Sequence, residues 1–343
     1  IGQGLPSYMN YTQKTFTPIE LLMCVYRFRD GKKCQLADAG QGFCYWHDPT
    51  IDKSGENLCA KLERVIKDGH CMEGASLKRA NLEGLNLVCH GQREGYSLVR
   101  ADLYRANLRN AHLFHIDLSE ASLMKADCRE ANLHFANLER VNLLGAKLEG
   151  AKIENVIWGN KLLHELKGFE AHKAKRQQES SDFFEQAEEI CRNLRKVSEM
   201  QGLFELAGHF FYEEMLMRRY QMPSWSFQRG ISKLVDVFCG YGERPLRVIL
   251  FSLAFILLCG FGYFALGISD NGQLVAFDAN HSLAENAMTL IKLMYFSVVT
   301  FTTLGYGDLV PVGPSRIIAA IEAFAGSFTL ALFVVVFVKK MTR

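Results

Sequence analysis

The sequence predicts a multidomain protein that combines a right-handed quadrilateral β-solenoid, an α-helical hairpin and an all-α domain with two transmembrane helices and a re-entrant loop. Three observations predict this combination. Residues 75–158 repeat with a period of five, residues 175–221 place apolar side chains at helical spacing, and two long segments near the C-terminus are almost free of charge. A five-residue period fits neither an α-helix nor an alternating strand, so the repeat needs an architecture of its own.

The charge-poor segments divide the chain. Its 343 residues carry a net charge of +2 and a balanced mean hydropathy, which alone would suggest an ordinary soluble protein. Residues 248–267 contain no charged side chain, however, and residues 317–338 contain only Glu322. Each segment is long enough to cross about 30 Å of hydrocarbon as a helix. The sequence therefore predicts a membrane protein with most of its mass outside the membrane.

The distribution of basic residues predicts the orientation in the membrane. The outer ends of the two spans are flanked by Arg244, Arg247, Lys339, Lys340 and Arg343, whereas the segment between the spans carries only Lys292 and, at its end, Arg316. The positive-inside rule then places both termini in the cytoplasm. We expect the spans to lie in the inner (plasma) membrane. Ten cysteines without a secreted-type framework agree with a reducing compartment. The chain begins at Ile1 rather than Met, which leaves open whether a leader or a longer domain precedes it.

The repeat is built from units such as Ala101-Asp-Leu103 and Ala136-Asn-Leu138, and it shifts phase once, across residues 90–96. A square solenoid explains it, because four five-residue sides make one coil with Leu and Ala pointing inward. This pattern resembles the pentapeptide-repeat family, and residues 75–158 give roughly four coils. Some members of that family mimic DNA, which needs a strongly acidic surface. Residues 75–158 contain 11 basic and 10 acidic side chains, so we expect no nucleic-acid function and a spacer, or a docking surface for a cytoplasmic ligand or protein.

Residues 175–221 predict a helical hairpin with a break near Gln201-Gly202. Its two apolar stripes are Phe183, Phe184, Ala187, Ile190, Cys191, Leu194 and Val197, then Leu203, Leu206, Ala207, Phe210, Phe211 and Met215. The hairpin is similar to one tetratricopeptide-type unit. One such unit is only marginally stable, so we expect it to pack on the solenoid or on a neighbouring subunit.

Residues 223–245 predict an amphipathic helix that lies in the membrane interface. Its apolar stripe is Phe227, Ile231, Leu234, Val235 and Phe238. The following Gly240-Tyr241-Gly242 predicts a bend, and Pro245 is placed to begin the first transmembrane helix. Residues 246–343 then form the membrane domain.

A second Gly-Tyr-Gly lies between the spans, in Thr303-Leu304-Gly305-Tyr306-Gly307-Asp308. Residues 285–301 are too short and too polar at their start to cross the bilayer, so they predict a helix that enters halfway and returns as extended backbone. Glycine tolerates positive φ, and alternate glycines allow successive carbonyls to line a pore. Rings of backbone carbonyls can replace the hydration shell of K⁺. The segment therefore predicts a potassium selectivity filter.

Residues 223–343 resemble bacterial two-transmembrane potassium channels, most closely over Ser297 to Asp308. The resemblance implies a slide helix before the first span and a homotetramer whose fourfold pore carries a ring of carbonyls from residues 303–307. It departs from some relatives at Val299, where they carry a Glu that pairs with the filter Asp. Asp308 must then find another donor or stay hydrated.

Glu322 and Gly326 are the gating candidates of the second span. An ionisable residue within a transmembrane helix is functional by default, and two interpretations of Glu322 stay open. It either pairs behind the filter with polar groups of the preceding helix or senses protons or cations. Gly326 lies on the same face and resembles the hinge glycine of channel inner helices, although glycine also permits close helix packing.

Residues 1–74 form a loop-rich, Cys-rich region. Cys24, Cys34, Cys44 and His47 could close a tetrahedral zinc site, with Cys59 or Cys71 as substitutes for any member. Zinc would explain how a segment with so little periodicity folds. Reduced, buried cysteines without a metal are the alternative.

The predicted function is passive conduction of K⁺ through a tetrameric channel in the membrane, with no enzymatic activity. A nonselective cation channel and a membrane-anchored pentapeptide-repeat scaffold are the alternatives. The sequence does not identify the gating stimulus.

Overall fold

The computed structural model describes residues 23–89 and 95–341, with side chains as far as residue 338. Outside the described residues lie residues 1–22 of the predicted Cys-rich region, residues 90–94 of the phase shift and Arg343. The side chains of Lys339 and Lys340 are not described either. The elements in chain order are α1 (Cys59–Lys67), α2 (Leu163–Lys173), α3 (Gln177–Met200), α4 (Phe204–Gln221), α5 (Phe227–Cys239), α6 (Pro245–Leu266), β1 (Ile268–Asp270), β2 (Gln273–Val275), α7 (Leu283–Phe301), β3 (Leu309–Pro311) and α8 (Ser315–Met341).

The five-residue repeat forms a solenoid. Parallel bridges join positions 20 residues apart from Ser97↔Asp117 onward, so four repeats make one coil. Each coil hydrogen-bonds the next, as where the Leu103 amide donates to the Ser122 carbonyl over 2.8 Å. The central Leu and the small residue before it point inward and are almost fully buried in one continuous core.

The solenoid begins earlier than Ala75, the first residue of the predicted array. A parallel bridge joins Asn57 to Asn81, and Leu58 is buried in the same core. The first coil escaped the sequence pattern because α1 and irregular segments replace most of its five-residue sides. Across residues 90–96 the offset between bridged positions is 26 residues rather than 20, as in Asn86↔His112.

Every fifth residue of the solenoid turns a corner with positive φ. Arg100, Arg105, Glu120 and Lys125 adopt φ near +58°, and Gly145 takes the same position further along. Side chains other than glycine are disfavoured there, so regular burial of the Leu and Ala side chains must outweigh a recurring local cost.

Among the described residues, three helices rather than the predicted two lie between the solenoid and α5. The predicted hairpin corresponds to α3 and α4, and α2 packs against α3. No apolar stripe indicated α2, because its buried residues, His164, Glu165, Gly168 and Ala171, are polar or small. At Gly168 a Cβ would lie 2.7 Å from the Phe184 ring, so only glycine lets the two helices approach this closely.

Helix α3 closes the C-terminal end of the solenoid, as expected for the hairpin. The Asn193 side chain donates to the Ala146 carbonyl over 2.8 Å, and Gln201 donates to the Ala151 carbonyl over 2.5 Å. Trp158 packs edge-on against Phe210 of α4. Exposed backbone of the last coil is thereby paired, and its apolar core is covered.

A sharp bend connects α5 to the first long apolar helix. Gly240, Tyr241 and Gly242 all have positive φ, in a single 3₁₀ turn, and Pro245 occupies the first turn of α6. The bend predicted at Gly240-Tyr241-Gly242 is therefore present. Helices α6 and α8 are long and apolar enough to span a membrane. They pack together and against α7.

Candidate functional site

The chain between α7 and β3 has an alternating backbone. Thr303, Gly305 and Gly307 have φ of +59°, +56° and +78°, whereas Leu304 and Tyr306 are not among the residues with positive φ. Alternation of left-handed and right-handed residues turns successive carbonyls toward one side of the chain. An ordinary strand would point them to opposite sides. The side chains of residues 303–308 are exposed in the single chain.

The elements before and after this segment, α7 and β3, are each held in place by specific contacts. Helix α7 begins with a capping box, in which Ser282 Oγ accepts from the Glu285 amide and the Glu285 carboxylate accepts from the Ser282 amide. Lys292 of α7 forms an ion pair with Asp270 of β1. Strand β3 leaves the segment and pairs with β1 in a three-stranded antiparallel sheet of order β2-β1-β3. The alternating backbone is thus held between a helix end and a sheet.

Asp308 has a partner that the sequence did not indicate. The Tyr295 hydroxyl of α7 interacts with the Asp308 carboxylate. Val299, at the position where some relatives carry Glu, is an apolar, buried side chain. Tyr295, rather than the side chain at position 299, therefore places a polar group near Asp308. Tyr295 precedes Val299 by four residues and so lies on the same face of α7. This spacing was the sequence signal that could have indicated Tyr295 as a neighbour of Asp308.

Glu322 is fully buried where three helices meet. The Tyr263 hydroxyl of α6 donates to Glu322 Oε2 over 2.5 Å, and Ser297 of α7 hydrogen-bonds Oε1. Ser297 Oγ also lies 2.8 Å from the Ile256 carbonyl. Of the two interpretations of Glu322, this geometry matches pairing with polar groups of the preceding helix. Tyr263 was missed, because its partner depends on how α6 and α8 are rotated.

Gly326 lies against the end of α7, one turn along α8 from Glu322. A Cβ at this position would be 1.9 Å from the Phe301 carbonyl oxygen and 2.8 Å from its carbon. Both atoms belong to the backbone and cannot rotate away. Gly326 therefore permits close contact between α8 and the residue that leads into Thr302 and Thr303.

Asp236 of α5 joins α4 to the first long apolar helix, α6, and sequence analysis did not single it out. It accepts hydrogen bonds from Tyr212 and Arg219 of α4 over 3.0 and 2.8 Å. Arg247 of α6 contacts both its carboxylate and its carbonyl over 2.6 Å. Arg244 stacks on the Tyr212 ring, 4.1 Å from its centroid. One carboxylate in α5 thus connects α4 with α6.

The electrostatics of this junction favour the charged carboxylate. Burial alone would raise the pKa of Asp236, but hydrogen bonds from Arg219, Tyr212 and Arg247 outweigh it and hold the pKa below its ordinary value. The junction is therefore an ionised, multiply hydrogen-bonded contact rather than a surface ion pair.

The four Cys and His residues singled out in the N-terminal region come together. Ligand atoms of Cys24, Cys34, Cys44 and His47 all lie within 4.8 Å of one another, and all four residues are buried. Cys59 and Cys71 do not join them: Cys59 Sγ donates to the Glu83 carbonyl, and Cys71 is exposed.

Comparison with known proteins assigns the two main parts. Residues 251–343 match the family described as Ion channel, and residues 101–134 and 126–157 match pentapeptide repeats, with eight copies. The chain carries an ion-channel domain of the two-transmembrane type after an array of pentapeptide repeats. It is a membrane protein whose C-terminal domain belongs to a family that conducts ions. Neither family is one of enzymes.

Curated relatives match only a short region. The chain is 32% identical over 79 residues to Protein LctB of Bacillus caldotenax and 34% identical over 79 residues to Protein LctB of Geobacillus stearothermophilus. Each match covers 23% of this chain and 59% of the relative. The chain thus spans about three fifths of the length of these relatives.

Among solved structures, similar chains are pentapeptide repeat proteins. HetL, from the cyanobacterium Nostoc sp. strain PCC 7120, is 30% identical with a TM-score of 0.16, and the match covers 24% of this chain and 51% of HetL. A second pentapeptide repeat protein from Nostoc is 35% identical with a TM-score of 0.18, covering 27% and 72%. One from the thylakoid lumen of Arabidopsis thaliana is 27% identical with a TM-score of 0.15, covering 24% and 59%.

Proposed function

We propose that this protein is a homotetrameric potassium channel that conducts K⁺ passively through a pore lined by the carbonyls of Thr303 to Gly307. The observation that carries the proposal is the alternating φ of this segment, held between α7 and β3 and flanked by two spanning helices. Consecutive carbonyls directed to one side offer K⁺ the oxygen ligands that replace its water. Thr303 adds a hydroxyl at the α7 end.

A single chain supplies only part of a ring, which is why the proposal requires several copies. Four segments around one axis enclose an ion, and the exposed side chains of Leu304 and Tyr306 then pack against neighbouring copies. Helix α8 exposes Ile317, Ile321 and Phe324, which suits contact with lipid or with the next subunit. The partners of the channel are thus three further copies, lipid and K⁺.

The solenoid and α2–α4 lie in the cytoplasm in this proposal, with both termini on that side of the inner membrane. Arg244 and Arg247 at the start of α6 agree with the positive-inside rule. Helix α5 exposes Phe227, Ile231 and Leu234 on one face, which would rest in the lipid interface. A cytoplasmic ligand or protein on the solenoid would then reach the pore through α4, Asp236 and α6.

The reversal potential of the purified chain in planar bilayers under a K⁺/Na⁺ gradient tests this function. We expect reversal near the K⁺ equilibrium potential. Gly305→Ala should move reversal toward zero or abolish current, because alanine at positive φ distorts the carbonyl row. Gly230→Ala is the matched control, since its Cβ meets nothing within 4 Å and its φ is ordinary.

Other outcomes would identify the alternatives. Reversal near zero in the unmodified chain would indicate a nonselective cation channel. Absence of current under every condition, together with a monomeric mass in detergent, would favour a membrane-anchored scaffold. A tetrameric mass by native mass spectrometry supports the proposed assembly independently of whether the channel is open.

A further inference from the structure

We propose that Cys24, Cys34, Cys44 and His47 bind one Zn²⁺, which fixes the N-terminal segment as a cap on the first coil of the solenoid. This inference concerns the region before the repeats and is independent of ion selectivity. It rests on the convergence of four buried ligand atoms from two separate loops.

The distances fit a tetrahedral zinc. Cys34 Sγ and Cys44 Sγ are 3.9 Å apart, and Cys24 Sγ is 3.7 Å from His47 Nδ1. With Zn–S bonds of about 2.3 Å and a Zn–N bond of about 2.0 Å, tetrahedral geometry separates two sulfurs by about 3.8 Å and sulfur from nitrogen by about 3.5 Å. Cys44 Sγ and His47 Nδ1 are closer, at 3.1 Å, so a movement of a few tenths of an ångström admits the ion.

The histidine is already oriented as a ligand. Its Nε2 lies 3.0 Å from the Glu73 carbonyl oxygen, which can only accept a hydrogen bond, so Nε2 carries the proton. The lone pair of Nδ1 therefore faces the sulfurs. The Tyr26 ring stacks on the imidazole, with centroids 4.2 Å apart and planes 4° from parallel. Such outer contacts fix the ring orientation of metal-binding histidines.

The local fold is built to bring the ligands together. A hairpin bridged at Met23↔Ala37 and Arg27↔Lys33 supplies Cys24 and Cys34. One tight turn supplies Cys44 and His47, since the His47 amide donates to the Cys44 carbonyl over 3.0 Å. Two short loops around one ion are a common form of structural zinc site.

Charge also agrees with zinc. Three thiolates and one neutral imidazole around Zn²⁺ leave a net charge of −1. Lys53 is buried next to this group, where its Nζ donates to the Asp48 carbonyl over 2.8 Å. The Asp48 and Asp52 carboxylates already lie near this buried lysine, and the proposed site adds a further negative charge close to it.

A disulfide explains the cluster less well. The Cys34 and Cys44 sulfurs are separated by 3.9 Å, against about 2.05 Å in a disulfide. Pairing any two of the three cysteines would also leave one thiol and the imidazole without a role. Reduced, buried cysteines without a metal would not explain why His47 Nδ1 points toward the sulfurs of Cys24 and Cys44.

The site joins the N-terminal segment to the solenoid. His47 holds the Glu73 carbonyl, the Glu73 carboxylate accepts from the Arg29 amide over 3.0 Å, and the Trp46 carbonyl accepts from the Ser76 amide over 2.8 Å. Cys24, Cys34 and Cys44 belong to the same buried core as the solenoid leucines. Open solenoid ends need a cap, and zinc would hold this one in place.

Metal analysis of the full chain tests the proposal. We expect one zinc per chain by inductively coupled plasma mass spectrometry. Cobalt replacement should give the visible bands of tetrahedral Co²⁺ and a thiolate-to-cobalt charge-transfer band. Cys34→Ser should lose the metal, whereas Cys71→Ser, an exposed cysteine of the same segment, should keep it.

His47→Cys guards against variants that fail to fold, because a fourth thiolate can keep zinc bound while shifting the cobalt spectrum toward that of four sulfurs. Zinc below a tenth of the chain concentration, or octahedral cobalt bands in the unmodified chain, would overturn the proposal. Equal loss of zinc from Cys71→Ser and Cys34→Ser would overturn this choice of ligands.

Discussion

The hydroxyl of Tyr263 in α6 donates a hydrogen bond to Glu322 in α8, with 2.5 Å between the two oxygens. Ser297 of α7 binds the other carboxylate oxygen, so one acidic side chain joins all three helices of the membrane domain. We infer that Glu322 holds the three helices in register.

Glu322→Gln should preserve this role, because the amide oxygen still accepts from Tyr263 and its size is unchanged. Glu322→Ala should lower the free energy of unfolding of the detergent-solubilised channel by roughly 2 kcal/mol or more, since it leaves the buried Tyr263 hydroxyl without its acceptor and opens a cavity. Ser297 keeps the Ile256 carbonyl as an acceptor. Thermal unfolding, monitored as the loss of the assembled protein on heating, measures the effects of both variants. Tyr263→Phe should cost less than Glu322→Ala, because it removes one hydrogen bond.

The same pair of variants separates packing from sensing. If Glu322 only joins the helices, Glu322→Gln keeps the open probability and its dependence on pH. A channel whose pH dependence disappears in Glu322→Gln would contradict the packing role and favour proton sensing.

Gly326→Ala should disturb both α8, which contains Gly326, and the proposed filter that follows α7. The new Cβ would meet the Phe301 carbonyl at 1.9 Å, so α8 and the end of α7 must separate. Overpacking of this kind costs about 1–3 kcal/mol. We expect a lower melting temperature and a changed open probability in single-channel recordings. Gly262→Ala in α6 is the matched control, because its Cβ would meet only the end of the Ile318 side chain at 3.2 Å; equal effects of the two variants would argue against a special role for Gly326.

Local patterns explain why much of this architecture could be predicted. The Leu of each repeat and the glycines between Thr303 and Asp308 determine the conformation of the backbone close to them in sequence. Their period or spacing alone therefore indicates the structure. Likewise Cys44 and His47 are three residues apart and meet in one turn. These features require no knowledge of how distant elements pack.

The missed features all depend on packing between elements. Tyr263 and Glu322 are 59 residues apart, and only the rotation of α6 against α8 brings them together. Asp236 looks like the polar face of an amphipathic helix until α4 and α6 surround it. Helix α2 has no apolar stripe because it buries Glu165 and Gly168, so its sequence lacks the signal that identified α3.

Asp236→Asn should weaken the connection between α4 and α6. The amide keeps one oxygen acceptor but removes the charge that faces Arg219 and Arg247, and we expect a loss of about 1–3 kcal/mol. Because the pKa of Asp236 is lowered on folding, its contribution is present above the unfolded pKa and is lost as pH falls through the lower, folded value. Chemical unfolding at neutral pH measures the change. Asp182→Asn in α3, an exposed carboxylate, should have little effect, and an equal loss in both variants would contradict the role of the junction.

We expect Glu165 of α2 to make the free energy of unfolding depend on pH in the opposite direction to Asp236. Burial, with Glu213 nearby, raises the pKa of Glu165 to about 7, and Oε2 has no hydrogen-bond partner among the described residues. A carboxyl whose pKa rises on folding binds its proton more tightly in the folded state. Its contribution is complete below the unfolded pKa of about 4.5 and is lost as pH rises through about 7, a change of roughly 3 kcal/mol.

Glu165→Gln should remove this slope and make the protein more stable than the unmodified chain at pH above 7. Burial lowers the pKa of the adjacent His164 to about 4, which by itself makes the folded state less stable as pH falls below about 6.5. That contribution is present in both proteins, so the difference between their unfolding free energies isolates Glu165. The measurement is chemical unfolding of both chains at several pH values between about 4.5 and 8, the range set by the two pKa values of Glu165. A difference that stays constant across this range would mean that Glu165 remains ionised in the folded protein.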